Sequence, residues 1–162
     1  MKLANSIKVS VFIKTTGKPV ESVSQDLQKP EEDEALIKEK FISLFPFSLE
    51  EEKLILKRSK AQGFNQRQII IYEVELSKER HTNAFLKNLK DKLDEQQKKM
   101  LISQDNRLDE NLDFFIRLDK PCLLSNLFQV TDCGDCFHIK ISIAAFPKKR
   151  EIALEVVKRI FA

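Results

Sequence analysis

Glycine is scarce in this chain: there are three in 162 residues, and none lies close to another. That excludes the glycine-rich phosphate loops of the usual nucleotide-binding folds, which need several glycines within one turn. Tryptophan is absent and tyrosine occurs once. The three cysteines are an odd number and argue against a disulfide framework, so the expected location is the cytoplasm. No apolar run approaches the roughly 18 residues of a membrane span. The opening MKLANSIKVSVF is too polar and too strand-like for a signal peptide. No repeat or low-complexity tract is present.

What the chain does have is phenylalanine, 12 residues in a composition that is 42% hydrophobic. That is a globular composition, long enough for a sizeable core, and residues 1–162 are expected to form a single domain. Net charge is only +3 but unevenly spread. Residues 1–20, 57–100 and 137–162 are basic, and the two segments between them are acidic. A fold that gathers the basic segments makes a footprint for a polyanion; one that scatters them makes an ordinary mixed surface.

Periodicity gives the elements. Ile7–Lys14 alternates as a strand with one buried face. Residues 15–30 have no period and read as a long, mobile loop. Pro30 with the acids behind it opens a helix bearing Leu36, Ile37, Lys40, Phe41, Leu44 and Phe45, ended by Pro46. Ser48 has capping-box spacing to Glu51. Leu54–Lys57 and Ile69–Leu76 read as a hairpin whose turn carries Arg58, Lys60 and Arg67. Ser77 is expected to cap a helix with the stripe Phe85, Leu86, Leu89 and Leu93, and Asp94 with Gln97 to restart one. Phe114–Leu118 is a strand and Pro121–Ser125 a brief helical turn. Leu127–Val130 is expected to pair with a strand over Phe137–Ala145 across the Thr131–Cys136 turn. The sum is an α+β fold: a mainly antiparallel sheet of about six strands with helices on one face.

The last stretch organises the rest. Phe137, Ile139, Ile141 and Ile143 face one way, and Ile152, Ala153, Val156, Val157 and Ile160 stripe the helix that follows. Between them lies Phe146-Pro147-Lys148-Lys149-Arg150. Pro147 suits the first helical position. Phe146 has no side-chain oxygen to cap the free N–H groups, and three cations stand at the positive end of the helix dipole. That arrangement suits a bound anion such as an RNA phosphate, or else a solvated, frayed first turn.

The sheet face away from the core collects Lys8, Ser10, Phe12 and Lys14 with Phe115, Arg117, His138, Lys140 and Ser142. Aromatic and basic side chains together suit single-stranded RNA. A solvated face or a homodimer interface hiding Phe12 and Phe115 fits the same pattern. Cys133, Cys136 and His138, with Cys122 as a guessed fourth ligand, are half a zinc site; incidental thiols around a Gly134 turn account for them as well. His81, with Arg80 beside it in the first turns of the helix that follows Ser77, and His138 are the two imidazoles for acid–base work, and neither is paired with a nucleophile by sequence. No enzyme, cofactor or metal is expected.

Several stretches carry a resemblance: SIKVSVFIK, LFPFSLEEEK, YEVELSKERHTNAFLKNL, RLDENLDFFIRLDK and TDCGDCFHIKISIAAFPKKRE. Together they resemble an archaeal family of small proteins described as predicted RNA-binding proteins and exosome-subunit candidates. That family's fold is compared with ribosomal protein five of the large subunit and, more loosely, with double-stranded RNA-binding domains. The resemblance implies an antiparallel sheet backed by helices, RNA as partner, and a role beside an RNA-processing complex or ribosomal components. It implies phosphate contacts at Lys148, Lys149 and Arg150, and supplies no catalytic residues. Arg80, His81, Lys8, Arg117, His138 and Lys140 are the further RNA-contact candidates. The alternative expectation is a protein-interaction module that homodimerises through the open sheet face.

Overall fold

The computed structural model describes residues 1–15, 32–62 and 68–162. The fold is α+β: one five-stranded antiparallel sheet in the order β2-β3-β1-β5-β4, with helices on one of its faces. The strands are β1 (Ala4–Thr15), β2 (Lys57–Gln62), β3 (Gln68–Leu76), β4 (Asp113–Asp119) and β5 (Cys136–Ile143). The helices are α1 (Glu34–Ser43), α2 (Glu79–Lys92), α3 (Glu95–Ser103), the short α4 (Lys120–Leu124) and α5 (Arg150–Phe161), with one 3-10 turn at Asp105–Arg107. The expected mobile loop lies outside the described residues except for its first residue, as does Arg67.

Alternation sets the register. Ile7, Val9, Val11 and Ile13 of β1, Tyr72 and Val74 of β3, Phe114, Ile116 and Leu118 of β4, and Ile139 and Ile141 of β5 all point into the core. They meet Phe85, Leu86 and Leu89 of α2 and Val156, Val157, Ile160 and Phe161 of α5. The phenylalanines pack as pairs: Phe45 lies 5.5 Å from Phe85 between ring centres, and Phe114 lies 6.2 Å from Phe161. Burying one such ring stabilises the fold by roughly 1.5–3 kcal/mol.

Five expectations are corrected. The first helix begins at Glu34, not Pro30, because the Asp33 side chain accepts from Leu36 N (3.2 Å) and takes the N-cap. Glu32 is meanwhile drawn to the end of β1, where it accepts from Lys14 N at 3.0 Å. The strand expected at Leu54–Lys57 starts only at Lys57. Leu54 and Leu56 pack on the core before the ladder begins, and β2 itself is an edge strand exposed throughout, with no apolar alternation to read. Arg58 and Lys60 therefore lie within the strand and not at a turn. Ser77 does not cap α2: Lys78 holds the N-cap, with no side-chain acceptor.

The fourth correction reduces the strand count from six to five. Val130 does not pair with β5; it bridges Leu118 of β4, and Asp119 N donates to Gln129 O at 2.8 Å. The Gln97 side chain fixes this segment, its Oε1 accepting from Val130 N (2.7 Å) and its Nε2 donating to Phe128 O (3.0 Å). The fifth concerns Pro147, which precedes α5 without opening it. Lys149 N donates to Pro147 O at 2.8 Å, closing a turn, and Lys149 becomes the N-cap. The restart at Asp94 is as the spacing predicts: its carboxylate accepts from Gln97 N at 2.8 Å.

Candidate nucleic-acid interface

Strand pairing decides which side chains share the open face. Across the sheet, Glu73 (β3), Ser10 (β1), His138 (β5) and Arg117 (β4) fall in one row, with Lys57 of β2 beside Glu73. Glu75, Lys8, Lys140 and Phe115 form the next row, and Phe12 stands opposite Ile71. The face so assembled is the one the alternation predicts, with Lys57, Ile69, Ile71, Glu73 and Glu75 added. Sequence reasoning missed the acids because it never assigned β3 an outward face.

Those acids change the electrostatics. Lys8 lies 3.5 Å from Glu73, and Lys140 lies 3.5 Å from Asp113. Each lysine is paired with one carboxylate, and the more exposed pair, Lys8–Glu73, contributes at most about 1 kcal/mol. Arg117 donates through Nη1 to the carbonyl of Asp132 at 3.1 Å. Arg107, which an acidic connecting segment concealed, sits beside it and reaches the Asp132 carboxylate at 3.2 Å and the Phe115 carbonyl at 3.4 Å. Arg107 is thus paired with a carboxylate and 10% exposed, and at the β4 edge Arg117 is the cation without a carboxylate partner among the described residues.

The aromatic groups lie alongside. Phe12 is 57% exposed, a large value for a phenylalanine in the middle of a sheet. Phe115 and His138 pair with ring centres 5.7 Å apart. Burial, reinforced by Arg117 and Lys140, pushes the His138 imidazole below its usual pKa, so the ring is neutral at pH 7. Three shallow cavities meet at this histidine. One, of about 350 Å³, is walled by Ser10, Phe12, Arg117, Gly134 and Cys136. A second, of about 410 Å³, runs toward Lys57 and Lys8, and a third, of about 460 Å³, toward Arg107 and Asn106.

The start of α5 is open, as its sequence implies. No side chain caps it, and Lys148 and Lys149 are exposed. Arg150 is committed elsewhere: it donates to the carbonyls of Asp105 (2.8 Å) and Leu108 (3.0 Å), tying α5 to the 3-10 turn. The residue overlooked here is Phe146, which is 96% exposed in the connection between β5 and α5. In the sequence it counted only as a poor helix cap.

Arg80 and His81 are not brought to the open face. Both belong to α2, which packs on the other side of the sheet. Arg80 pairs with Glu52 at 2.7 Å, and the buried His81 meets the same carboxylate through Nε2 at 3.1 Å, its ring 5.0 Å from Phe47. The hydrogen bond from His81, with Arg80 close by, holds the Glu52 carboxyl below its ordinary pKa. Such a knot anchors the 48–53 turn to the helix. Among the described residues no group of three or more His, Cys, Asp or Glu side chains is placed to hold a metal ion. Burial raises the Cys136 thiol, while Cys133 is exposed in the turn.

An α+β sheet with one face backed by helices and the other bearing rings and cations is an architecture that RNA-recognition modules share. The family model described as RNA binding matches residues 27–143, and the chain belongs to that family. It is 26% identical over 156 residues to RNA-binding protein PAB1135 of Pyrococcus abyssi, spanning 96% of this chain and 92% of that one. Protein AF2318 from Archaeglobus fulgidus shares the fold with a TM-score of 0.72, at 24% identity and 99% coverage of each chain. So does Mth689, a DUF54 protein from Methanothermobacter thermautotrophicus, with a TM-score of 0.70 and the same identity and coverage.

Proposed function

We propose that this protein binds RNA without catalysing a reaction, laying a single-stranded segment across the open face of the sheet. The observation that carries this reading is Phe12, standing out of the central strand beside the Phe115–His138 pair, with Arg117 and Arg107 along the neighbouring edge. Rings of this kind stack bases, each worth roughly 1–3 kcal/mol, while cations track the backbone. The exposed Lys148 and Lys149 at the uncapped start of α5 supply a phosphate contact beyond the sheet. Arg150 is left out of that grip because its guanidinium already serves two carbonyls. Arg80 and His81 are left out because they anchor a turn on the far side. A role beside an RNA-processing exosome or in ribosome assembly, and a cytoplasmic location, belong to the same proposal and rest on the resemblance of the sequence alone.

The experiment is RNA binding at two salt concentrations, against structured and unstructured RNA of equal length. Micromolar or tighter binding with a steep salt slope is the expected result, with unstructured RNA preferred. Absence of binding to either RNA refutes the proposal. A second reading is favoured by the apolar patch of Phe12 with the half-buried Ile69 and Ile71 beside it. A second copy of the chain covering that patch would make the face a dimer interface. Sedimentation at micromolar concentration separates the two readings: a monomer leaves the face to RNA.

A further inference from the structure

We infer that the cavity between Phe12, Arg117 and His138 seats one unpaired guanine base of a single-stranded RNA. The inference rests on the RNA-binding reading and names what the open face recognises. At about 350 Å³ the cavity falls near the lower end of small-molecule sites, which run roughly 300–1,000 Å³. Phe12 offers an exposed ring at one side, and His138, backed by Phe115, offers another. Both are uncharged at neutral pH and offer a flat face for stacking. The Cys136 thiol is pushed up by burial and stays protonated, so no anion at this wall repels the ligand.

Arg117 discriminates guanine from adenine and uracil. Its Nη1 is held by the Asp132 carbonyl at 3.1 Å, which fixes the plane of the guanidinium. Among the described residues, Nε and Nη2 meet no protein acceptor and remain available as a two-donor fork. Guanine presents two adjacent acceptors, O6 and N7, that match such a fork. Adenine presents a donor where guanine has O6, and uracil presents O4 without a second acceptor beside it. A base can enter only if it is out of a duplex, because an A-form helix does not bring its base edges to a shallow pocket on a flat sheet.

Gly134 gives the pocket a second, steric test. A Cβ built there has nothing within 4 Å, so a larger side chain is tolerated locally and grows into open space at the pocket wall. The probes are three ten-nucleotide RNAs: all uridine, uridine with one central guanosine, and uridine with one central adenosine. Guanosine monophosphate alone and a duplex carrying the same guanosine complete the set. The guanosine RNA is expected to bind about tenfold tighter than the other two single strands, with the duplex weaker than all three. Arg117→Ala is expected to reduce that preference to less than threefold, and Gly134→Leu to weaken the guanosine RNA about tenfold with folding unchanged by circular dichroism. Equal affinity for the three single strands overturns the inference and leaves RNA binding standing. An equal loss on all three RNAs in Arg117→Ala also overturns it, since Arg117 would then be a phosphate contact. Guanosine monophosphate that competes with the guanosine RNA supports the pocket. Monophosphate binding without any RNA binding overturns both this inference and the proposed function.

Discussion

Lys120 offers the sharpest test of how the open face is held. Its side chain is 5% exposed, and its ammonium donates to the Phe12 carbonyl at 2.7 Å while meeting Glu32 at 3.1 Å and Asp135 at 2.9 Å. Replacing it by alanine leaves two carboxylates facing each other and one buried carbonyl without a donor. Removing one partner of a buried ion pair typically costs about 3–5 kcal/mol. Here the carboxylates can recover part of their hydration, because Glu32 is 22% and Asp135 47% exposed. A destabilisation of about 2–3 kcal/mol follows, scaled down from that range. For a chain of this length each kcal/mol lowers Tm by about 2–4 °C, so the midpoint should fall by roughly 4–12 °C. Urea unfolding followed by circular dichroism measures it directly. Lys120→Met keeps the hydrocarbon stem and should lose nearly as much as alanine. Adding Glu32→Gln to Lys120→Met should return part of the loss, since it removes one of the orphaned charges. A Lys120→Met protein as stable as the parent would refute the reasoning, because packing of the stem and not the ammonium would then hold the strand.

Three further outcomes are expected. The His138 ring should titrate by NMR below its ordinary value of 6.5, and Arg117→Ala should move it upward. Its folded pKa lies below the unfolded one, so the stability it contributes is complete above the unfolded pKa and is lost as pH falls through the folded pKa; a stability gain on acidification through that window would contradict the assignment. The double variant K148A/K149A should lower the salt slope of binding by about 0.7 for each phosphate it no longer neutralises. Arg150→Ala should leave that slope alone and reduce stability instead, and the reverse pattern would restore Arg150 to the RNA. Asp94→Ala should destabilise the fold by about 1 kcal/mol through loss of the α3 cap, and no change by urea titration would count against the capping assignment.

The legible parts of the fold were those in which one residue type has one physical use. Alternating Ile and Val in β1, and Phe and Ile in β5, mark half-buried strands, and Asp94 three residues before Gln97 marks the cap that the structure shows. The illegible parts were those in which tertiary contact overrides local pattern. Leu54 and Leu56 look like strand residues but serve as anchors, and the strand beside them, Lys57–Gln62, has no apolar pattern because both its faces are exposed. Val130 was assigned to the wrong neighbour because hairpin logic favours the nearest strand, whereas Gln97, far away in sequence, holds it against β4. Within the candidate site the outward half of β1, β4 and β5 was readable from parity alone. Glu73 and Glu75 alternate with Tyr72, Val74 and Leu76 and are readable by the same parity, but only once β3 is given an outward face. Arg150 illustrates a different limit: its position at a helix start predicts an anion, while its hydrogen bonds show two backbone carbonyls.

The placement of β1 between β3 and β5 has a consequence for how the molecule is made. Val11 pairs with Tyr72 on one side and with Phe137 on the other. Of these five strands β1 is made first, yet its pairing is complete only when β5 has emerged, at synthesis speeds of about 5–20 residues per second. During that interval one edge of an Ile- and Val-rich strand lies open, and Phe12 with it. Pairings so distant in sequence also place such a sheet among the slower folders. Until β5 is present, the unpaired edge of β1 is the part of the sheet most open to misassociation.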